Sequence, residues 1–498
     1  MTEPCDLSAV EARRRIGARQ LSPVELVESC LARIGQVNHA VNAVVALDAE
    51  RALAAAKAAE AAVMRGEALG PLHGLPLGIK DLDETAGLRT TWGSALFADH
   101  VPAKDGRFVA SIRRAGGIVL GKTNTPEFGS GANTRNVVYG ATGNAFDPTK
   151  NAAGSSGGSA VALATGMMPL CTGSDTGGSL RNPAAFNGIF GFRPSPGLVP
   201  SERRSIGWAP ISVLGPMARR AEDCALMLSA VAGDDPVDPL AYTLHGRAVR
   251  GGDPALFPPA RLDLAGLRVA ATPDFGFAPV ESQIREVFAK RVADLEPLFG
   301  RVAFASPDCA GTDEAFEVLR AAEYLATHLE KLQRAPDKVG PNVRANLEEA
   351  QRYGLGDYAR AAAAQTRIYR GWQRFFADHD LLISPAITIS PRSWRELYPK
   401  EIDGQPTRTY FHWLSLAYAV SLVGHPACSL PLGRDQAGMP FGLQIVGPRG
   451  GDALVLAAAA AIEAAVAGDA ALSRPVPDIA ALKAARPISE MPEFLTMN

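Results

Sequence analysis

Surplus charge, paired cysteines and long apolar runs are all scarce in this 498-residue chain. Fifty Lys and Arg stand against 52 Asp and Glu, a formal net charge of −2, so no basic stripe awaits a nucleic acid. The six cysteines (Cys5, Cys30, Cys171, Cys224, Cys309 and Cys428) are far apart and never form CxxC. They read as free thiols of a reducing compartment, not as a disulfide frame or a zinc site. No HExxH is present, so neither a metal nor another cofactor is expected. The longest apolar run, ALVLAAAAAI at 453–462, is about half of a membrane span and reads as a buried helix. The stretch MTEPCDLSAVEARRR has no basic region followed by an apolar core, so a cytoplasmic protein without a signal peptide is expected.

What remains is ordinary for a folded protein: 47% hydrophobic and 20% charged residues. Ser8 with Glu11, and Ser22-Pro23-Val24-Glu25, look like helix starts. The stretch 44–64 is alanine-rich and charged, also helical in texture. From residue 70, short apolar runs such as PLHGLPLGIKD, GGIVLGKTN and MMPLCTGSD alternate with helical patterns such as RFVASIRRAG. That alternation predicts an α/β fold: one large domain with a mixed, mainly central β-sheet covered by helices on both faces. The expected parts are a helical N-terminal layer (6–66), a core carrying the motifs (67–233) and a Pro/Gly-rich connector (234–262). A second part of the core (263–470) follows, with a helical excursion (313–378) and an irregular tail (471–498). No internal repeat is present.

Two motif matches are false friends. GGIVLGKT at 116–123 satisfies GxxxxGK[ST], but its centre is Ile118-Val119-Leu120, which wants burial in a strand. A phosphate loop instead needs a glycine-rich turn leading into a helix. GSSGG at 154–158 satisfies GxSxG with Ser156 as nucleophile, but the polar, turn-like NAFDPTKNAA before it is no strand. His425, in VGHPAC, is the one histidine that suggests a partner, and a lone histidine is more often structural.

A third reading joins GLPLGIKD (74–81), GSSGGS (154–159) and GSDTGGS (173–179). Two glycine-serine loops and a lysine at the end of an apolar run suggest a serine nucleophile that works without histidine. Leu75, Leu77 and Ile79 alternate with Pro76, Gly78 and Lys80, so in a strand Lys80 shares a face with Gly78, which leaves room beside it. Desolvation lowers a lysine pKa, and a neutral amine is a general base. The competing reading is a surface lysine paired with Asp81 or Asp83. The paired glycines 177 and 178 read equally as a simple turn.

These three motifs, in this order, resemble the amidase signature family. Ser155 lies 24 residues before Ser179, and Lys80 lies 99 before it, spacings that fit the family. GKTNTPEFG (121–129), GIFGFRPSPGLVP (188–200) and GHPACSLPLG…GMPFGLQIVG (424–447) extend the resemblance over roughly residues 8–465. It implies a hydrolase of carboxylic amide C–N bonds. Ser179 would be the nucleophile, Ser155 (at a cis peptide) the bridge and Lys80 the base. Backbone N–H groups of Thr176, Gly177, Gly178 and Ser179 would form the oxyanion hole. Ser156, Asp175 and Arg181 are supporting candidates, with Arg181 positioned to pair with Asp175 and hold the loop, or to form an ordinary ion pair.

Two positions depart from the family's habit: Ala153 stands before Gly154, and Gly143 stands where a larger polar residue is usual. Both are expected to reshape the site. The aromatics Phe128, Tyr139, Trp208, Phe411 and Trp413 are candidate pocket walls, as is the helical excursion. No cluster of basic residues lies beside the motifs, so the expected substrate is a small neutral aryl or alkyl monoamide. Alternatives are a carbamate (urethane) hydrolase on the same residues, the amidase component of a glutamine-dependent amidotransferase, and a non-catalytic binding protein. Residues 201–223 lack the Tyr-Gly-rich stretch associated with that amidotransferase component. The size is compatible with a homodimer, and neither nucleic acid nor membrane is an expected partner.

Overall fold

The computed structural model describes residues 3–241 and 255–495. Eleven strands form one sheet: β1 (Val44–Leu47), β2 (Pro76–Lys80), β3 (Ile118–Thr123), β4 (Leu170–Asp175), β5 (Phe190–Arg193), β6 (Val213–Ala218), β7 (Arg268–Ala271), β8 (Arg301–Phe304), β9 (Leu381–Pro385), β10 (Ala427–Arg434) and β11 (Pro440–Val446). Their spatial order is β1-β3-β2-β4-β6-β5-β10-β11-β9-β7-β8. β2 runs parallel to both β3 and β4, and β7 parallel to both β8 and β9, while the middle of the sheet is antiparallel. The fold is thus a single α/β domain with a mixed central sheet. β5 pairs with β10, so the two halves of the chain share one sheet. Strands such as β2, β3 and β11 are buried throughout, which is why apolar residues dominate them.

Both expected helix starts are present: Ser8 Oγ accepts from the Glu11 N–H, and Ser22 and Glu25 cap the Pro23–Val41 helix reciprocally. The run at 453–462 lies in the Asp452–Val466 helix, and its inward residues are fully buried. Among the described residues, no helix is long and apolar enough to cross a membrane. All six cysteines are buried and unpaired. The excursion consists of three helices, Thr312–Arg334, Pro341–Ala350 and Leu355–Asp378.

Two expectations need correction. The N-terminal layer is not wholly helical: Val44–Leu47 leaves the helical pattern to become an edge strand, because its backbone pairs with the edge of β3 that β2 leaves open. The tail is not featureless: it contains the Ile479–Ala484 helix, and Ile488 packs into a small cluster with Ala141 and Trp394. Part of the connector, residues 242–254, lies outside the described residues.

The GGIVLGKT stretch is the buried strand β3, as its apolar centre required. Ser156 sits at the start of the Gly157–Ala164 helix, and no strand precedes it, so the GxSxG match is not a strand-to-helix elbow. The glycines of GSSGGS have a packing reason. A Cβ at Gly158 would lie 2.2 Å from Asn124 N, and one at Gly157 would lie 2.3 Å from Thr134 Oγ1. Their absence lets this fully buried helix press against the chain leaving β3 and delivers Ser155 and Ser156 to the end of β2.

Candidate active site

β2 ends at Lys80, which is fully buried, and its backbone N–H donates to Thr172 Oγ1 on the adjacent β4 at 2.8 Å. The Lys80 amine reaches three hydroxyls: Ser155 Oγ at 2.7 Å, Ser156 Oγ at 2.9 Å and Ser174 Oγ at 3.0 Å. Burial pulls its pKa down to about 7, against the opposing pull of the Asp83 carboxylate. The surface-lysine reading fails. Asp81 is held by Thr91 and faces Lys122, and Asp83 pairs with Arg203. Gly78 shares the Lys80 face, but it opens no free space there. A Cβ would meet Met168 Sδ at 2.4 Å and Cys171 Sγ at 2.9 Å, so the glycine accommodates those side chains.

Ser155 follows a cis Gly154–Ser155 peptide, and Ala153 before it adopts φ +54°. Thr134 donates to the Ala153 carbonyl through both N–H and Oγ1, which anchors this bend. Gly143 does not line the cavity that holds Ser155 and Ser179. Its missing Cβ makes room for Pro148, whose carbonyl oxygen would otherwise lie 2.6 Å away. Gly143 is therefore a packing feature, not a reshaping of the site.

The loop after β4 is organised by Asp175. Its carboxylate accepts from Arg181 Nη2 at 2.9 Å and Nε at 3.0 Å, from Arg193 Nη1 at 3.1 Å, and from the Gly178 N–H at 2.9 Å. All three side chains are fully buried. Burial alone would raise the Asp175 pKa, but the Arg181 and Arg193 guanidinium groups hold it well below the usual carboxylate range. Arg181 also donates to Gln444 Oε1 at 2.6 Å and to the Ala417 carbonyl at 3.0 Å, which ties the loop to β11. Arg181 and Asp175 pair, as both readings of them expected.

The glycine pair divides. Gly178 has φ +107°, and a Cβ there would lie 2.4 Å from the Ala417 Cβ. Its N–H is committed to Asp175, so it is turned away from the cavity side. A Cβ at Gly177 would meet nothing nearer than Phe316 at 3.5 Å, an ordinary contact. Among the described residues, the N–H groups of Thr176, Gly177 and Ser179 have no hydrogen-bond acceptor, and neither does the Ser179 hydroxyl.

Ser179, Ser155, Ser174 and Thr176 line one cavity of 490 Å³. Trp92, Phe97 and Phe128 form an aromatic wall, with edge-on ring contacts at 4.8 Å and 6.1 Å, and His328 lies 4.9 Å from Phe128. Of the five aromatics singled out from sequence, only Phe128 reaches this cavity. Phe411 and Trp413 are core, Tyr139 lies under Arg89, and Trp208 is 77% exposed. His425 is also structural: buried, hydrogen-bonded to Gly447 O and Gln373, and lowered by burial to a pKa of about 4.

Sequence reasoning missed Ser174, Arg193 and the basic side chains of the cavity. Ser174 stood in plain view, one residue before Asp175 in the same motif. Arg107, Arg203, Arg204, Arg320 and Lys331 come from distant segments, so no local cluster announced them. Asp235, Asp83 and Asp238 hold Arg107, Arg203 and Arg204.

A desolvated amine touching three hydroxyls, beside a free serine in one cavity, can pass protons among those groups. Comparisons with known proteins identify the family. A family model described as Amidase matches residues 25–456. An acylamidase of Rhodococcus erythropolis is 34% identical over 468 residues, covering 92% of this chain and 95% of that protein. A glutamyl-tRNA(Gln) amidotransferase component of Azoarcus sp. (strain BH72) is 36% identical over 481 residues, covering 91% and 96%. The crystal structure of a bacterial aryl acylamidase of the amidase signature family superimposes with a TM-score of 0.85 at 28% identity, covering 92% of this chain and 96% of that one. The protein is an amidase, a hydrolase of C–N bonds other than peptide bonds. The chain belongs to the amidase signature family.

Proposed function

We propose that this amidase cleaves a neutral aryl or alkyl monoamide through an acyl-enzyme on Ser179, with Ser155 and Lys80 as the proton relay. The observation that carries this reading is the buried Lys80 amine, 2.7 Å from Ser155 Oγ in the cavity that also holds Ser179. A neutral Lys80 accepts the Ser155 hydroxyl proton, while Ser155 takes the proton of Ser179 as Ser179 Oγ attacks the carbonyl carbon. The tetrahedral oxyanion is held by the free N–H groups of Thr176, Gly177 and Ser179. One such donor is typically worth about 10²–10³ in rate. Gly178 supports the hole from behind, since its N–H binds Asp175. When the intermediate collapses, the Lys80 proton returns through Ser155 to the leaving nitrogen, which departs as the amine. Water then attacks the acyl ester by the same relay, and the acid leaves.

The aromatic wall of Trp92, Phe97 and Phe128 supports an aryl group on the substrate. The amidotransferase relative favours a second reading, transfer of ammonia from glutamine with a partner protein. A carbamate carbonyl would form a similar intermediate on the same residues. The test is turnover of a chromogenic anilide by the wild type and by Ser179→Ala, Ser155→Ala and Lys80→Ala, with EDTA present. Loss of about 10⁴-fold or more in the Ser179 variant supports the acyl-enzyme. Unchanged turnover in that variant overturns it. Turnover of glutamine or of urethanes in place of anilides selects between the alternatives.

A further inference from the structure

We infer that Glu323 makes the cavity select neutral amides that carry a second hydrogen-bond donor, a hydroxyl or N–H, beyond the scissile group. This rests on the amide-hydrolysis reading above and names the substrate class within it. The Thr312–Arg334 helix turns Arg320, Glu323, Tyr324, Thr327, His328 and Lys331 towards the cavity, the spacing of one helical face.

Most polar atoms on that face are satisfied. Arg320 donates to Asn346 Oδ1 at 2.6 Å and to the Tyr410 hydroxyl. The Tyr324 hydroxyl donates to Ser130, and Thr327 Oγ1 donates to the Glu323 carbonyl at 2.7 Å. Two atoms differ: among the described residues, Glu323 Oε1 and His328 Nδ1 are shielded from solvent without a partner. His328 is packed between the Phe128 and Tyr324 rings. Glu323 is instead wired to the reacting loop. Its Oε2 accepts from Ser212 Oγ at 3.1 Å, and Ser212 Oγ meets Thr176 Oγ1 at 2.8 Å. Thr176 is one of the three residues whose free N–H groups lie beside Ser179. Glu323, Ser212, Thr176 and Ser179 all line the same cavity.

A shielded carboxyl oxygen without a donor is costly, and a donor on the substrate would relieve that cost. The donor is neutral for an electrostatic reason. Burial pushes the Glu323 carboxyl up to about 7, although Arg320, Arg204 and Arg193 all pull it down. A cationic donor would have to enter against those guanidinium groups. A hydroxyl or uncharged N–H does not.

Binding to the Ser179→Ala protein, which separates recognition from turnover, tests this by calorimetry. The probes are matched benzanilides with a hydroxyl or a methoxyl on one ring, tried on each ring in turn. The hydroxyl compound of one pair should bind about tenfold more tightly. Adding Glu323→Leu should bring the two within about twofold, and Glu323→Gln should keep part of the difference. Equal binding of both pairs in the Ser179→Ala protein overturns the inference. So does a hydroxyl preference that survives Glu323→Leu, which would make it steric. Circular dichroism confirms that each variant is folded, and Glu323→Gln provides the reading if the leucine variant is not. Failure of the acyl-enzyme reading shows separately, as turnover that persists in Ser179→Ala.

Discussion

The two sides of the cavity are built on opposite plans. The side made by β2, β4 and the Gly157–Ala164 helix carries Lys80, Ser155, Ser156, Ser174 and Asp175 on buried backbone, knit together by hydrogen bonds. The side made by the Thr312–Arg334 helix is less buried, carries long side chains, and leaves Glu323 Oε1 and His328 Nδ1 unpartnered among the described residues. On the proposed function, the reacting groups must be held within a fraction of an ångström, which suits the ends of buried strands and the helix packed on them. Groups that sort substrates can stand on an added helical layer, where a change of side chain leaves the sheet intact.

The sharpest way to break this contrast is at Asp175. Asp175→Asn leaves two buried guanidinium groups with a weakened partner and should destabilise the fold by about 3–5 kcal/mol. The carboxylate's low pKa means that its contribution is present above the ordinary carboxylate pKa and is lost only as pH falls through the depressed value. Chemical denaturation at pH 7 measures the loss. A cost below about 1 kcal/mol would mean that the loop after β4 is not held as described.

The glycine pair gives the next effect. Gly178→Ala forces a Cβ into Ala417 at a left-handed φ and should cost about 1–3 kcal/mol or more. Gly177→Ala should change stability by less than about 1 kcal/mol, because its Cβ meets only ordinary contacts. Parallel thermal melts check the pair, and equal costs would refute the division of their roles.

On the aromatic wall, Phe128→Ala should raise KM for an aryl amide about tenfold and change kcat less, as expected of a group that binds ground and transition states alike. An equal fall in kcat would instead move Phe128 to the reacting side of the comparison.

The smallest effect concerns the pH profile. With Lys80 near 7, kcat/KM should rise with pH through about 7 as the amine becomes neutral. The Asp83 carboxylate raises the Lys80 pKa, so Asp83→Asn should move that limb to lower pH. A limb that does not move, or moves upward, would remove Asp83 from the control of Lys80.

Strands β2, β3 and β4 were legible because each is a short apolar run ended by glycine, a polar turn or proline. The site motifs were legible because glycine and serine cluster where backbone must come close. Ser174 was overlooked although it lay inside a recognised motif, and Val44–Leu47 was misread because alanine-rich flanks hide an edge strand whose partner, β3, is far along the chain. Gly143 looked like a change in the site and proved to be a packing contact with Pro148.

By itself the sequence determined the α/β class, the three motifs and their spacing, and so the candidate residues for the proposed chemistry, because those features are written in local residue types and short periods. Only the tertiary structure decided that Lys80 is dry and touches three hydroxyls, that Gly178 turns its N–H to Asp175, and that one helix face from the second half of the chain closes the cavity with Glu323. Burial, amide direction and the pairing of charges depend on segments that are distant in the chain. Local sequence carries no record of which of those segments will meet.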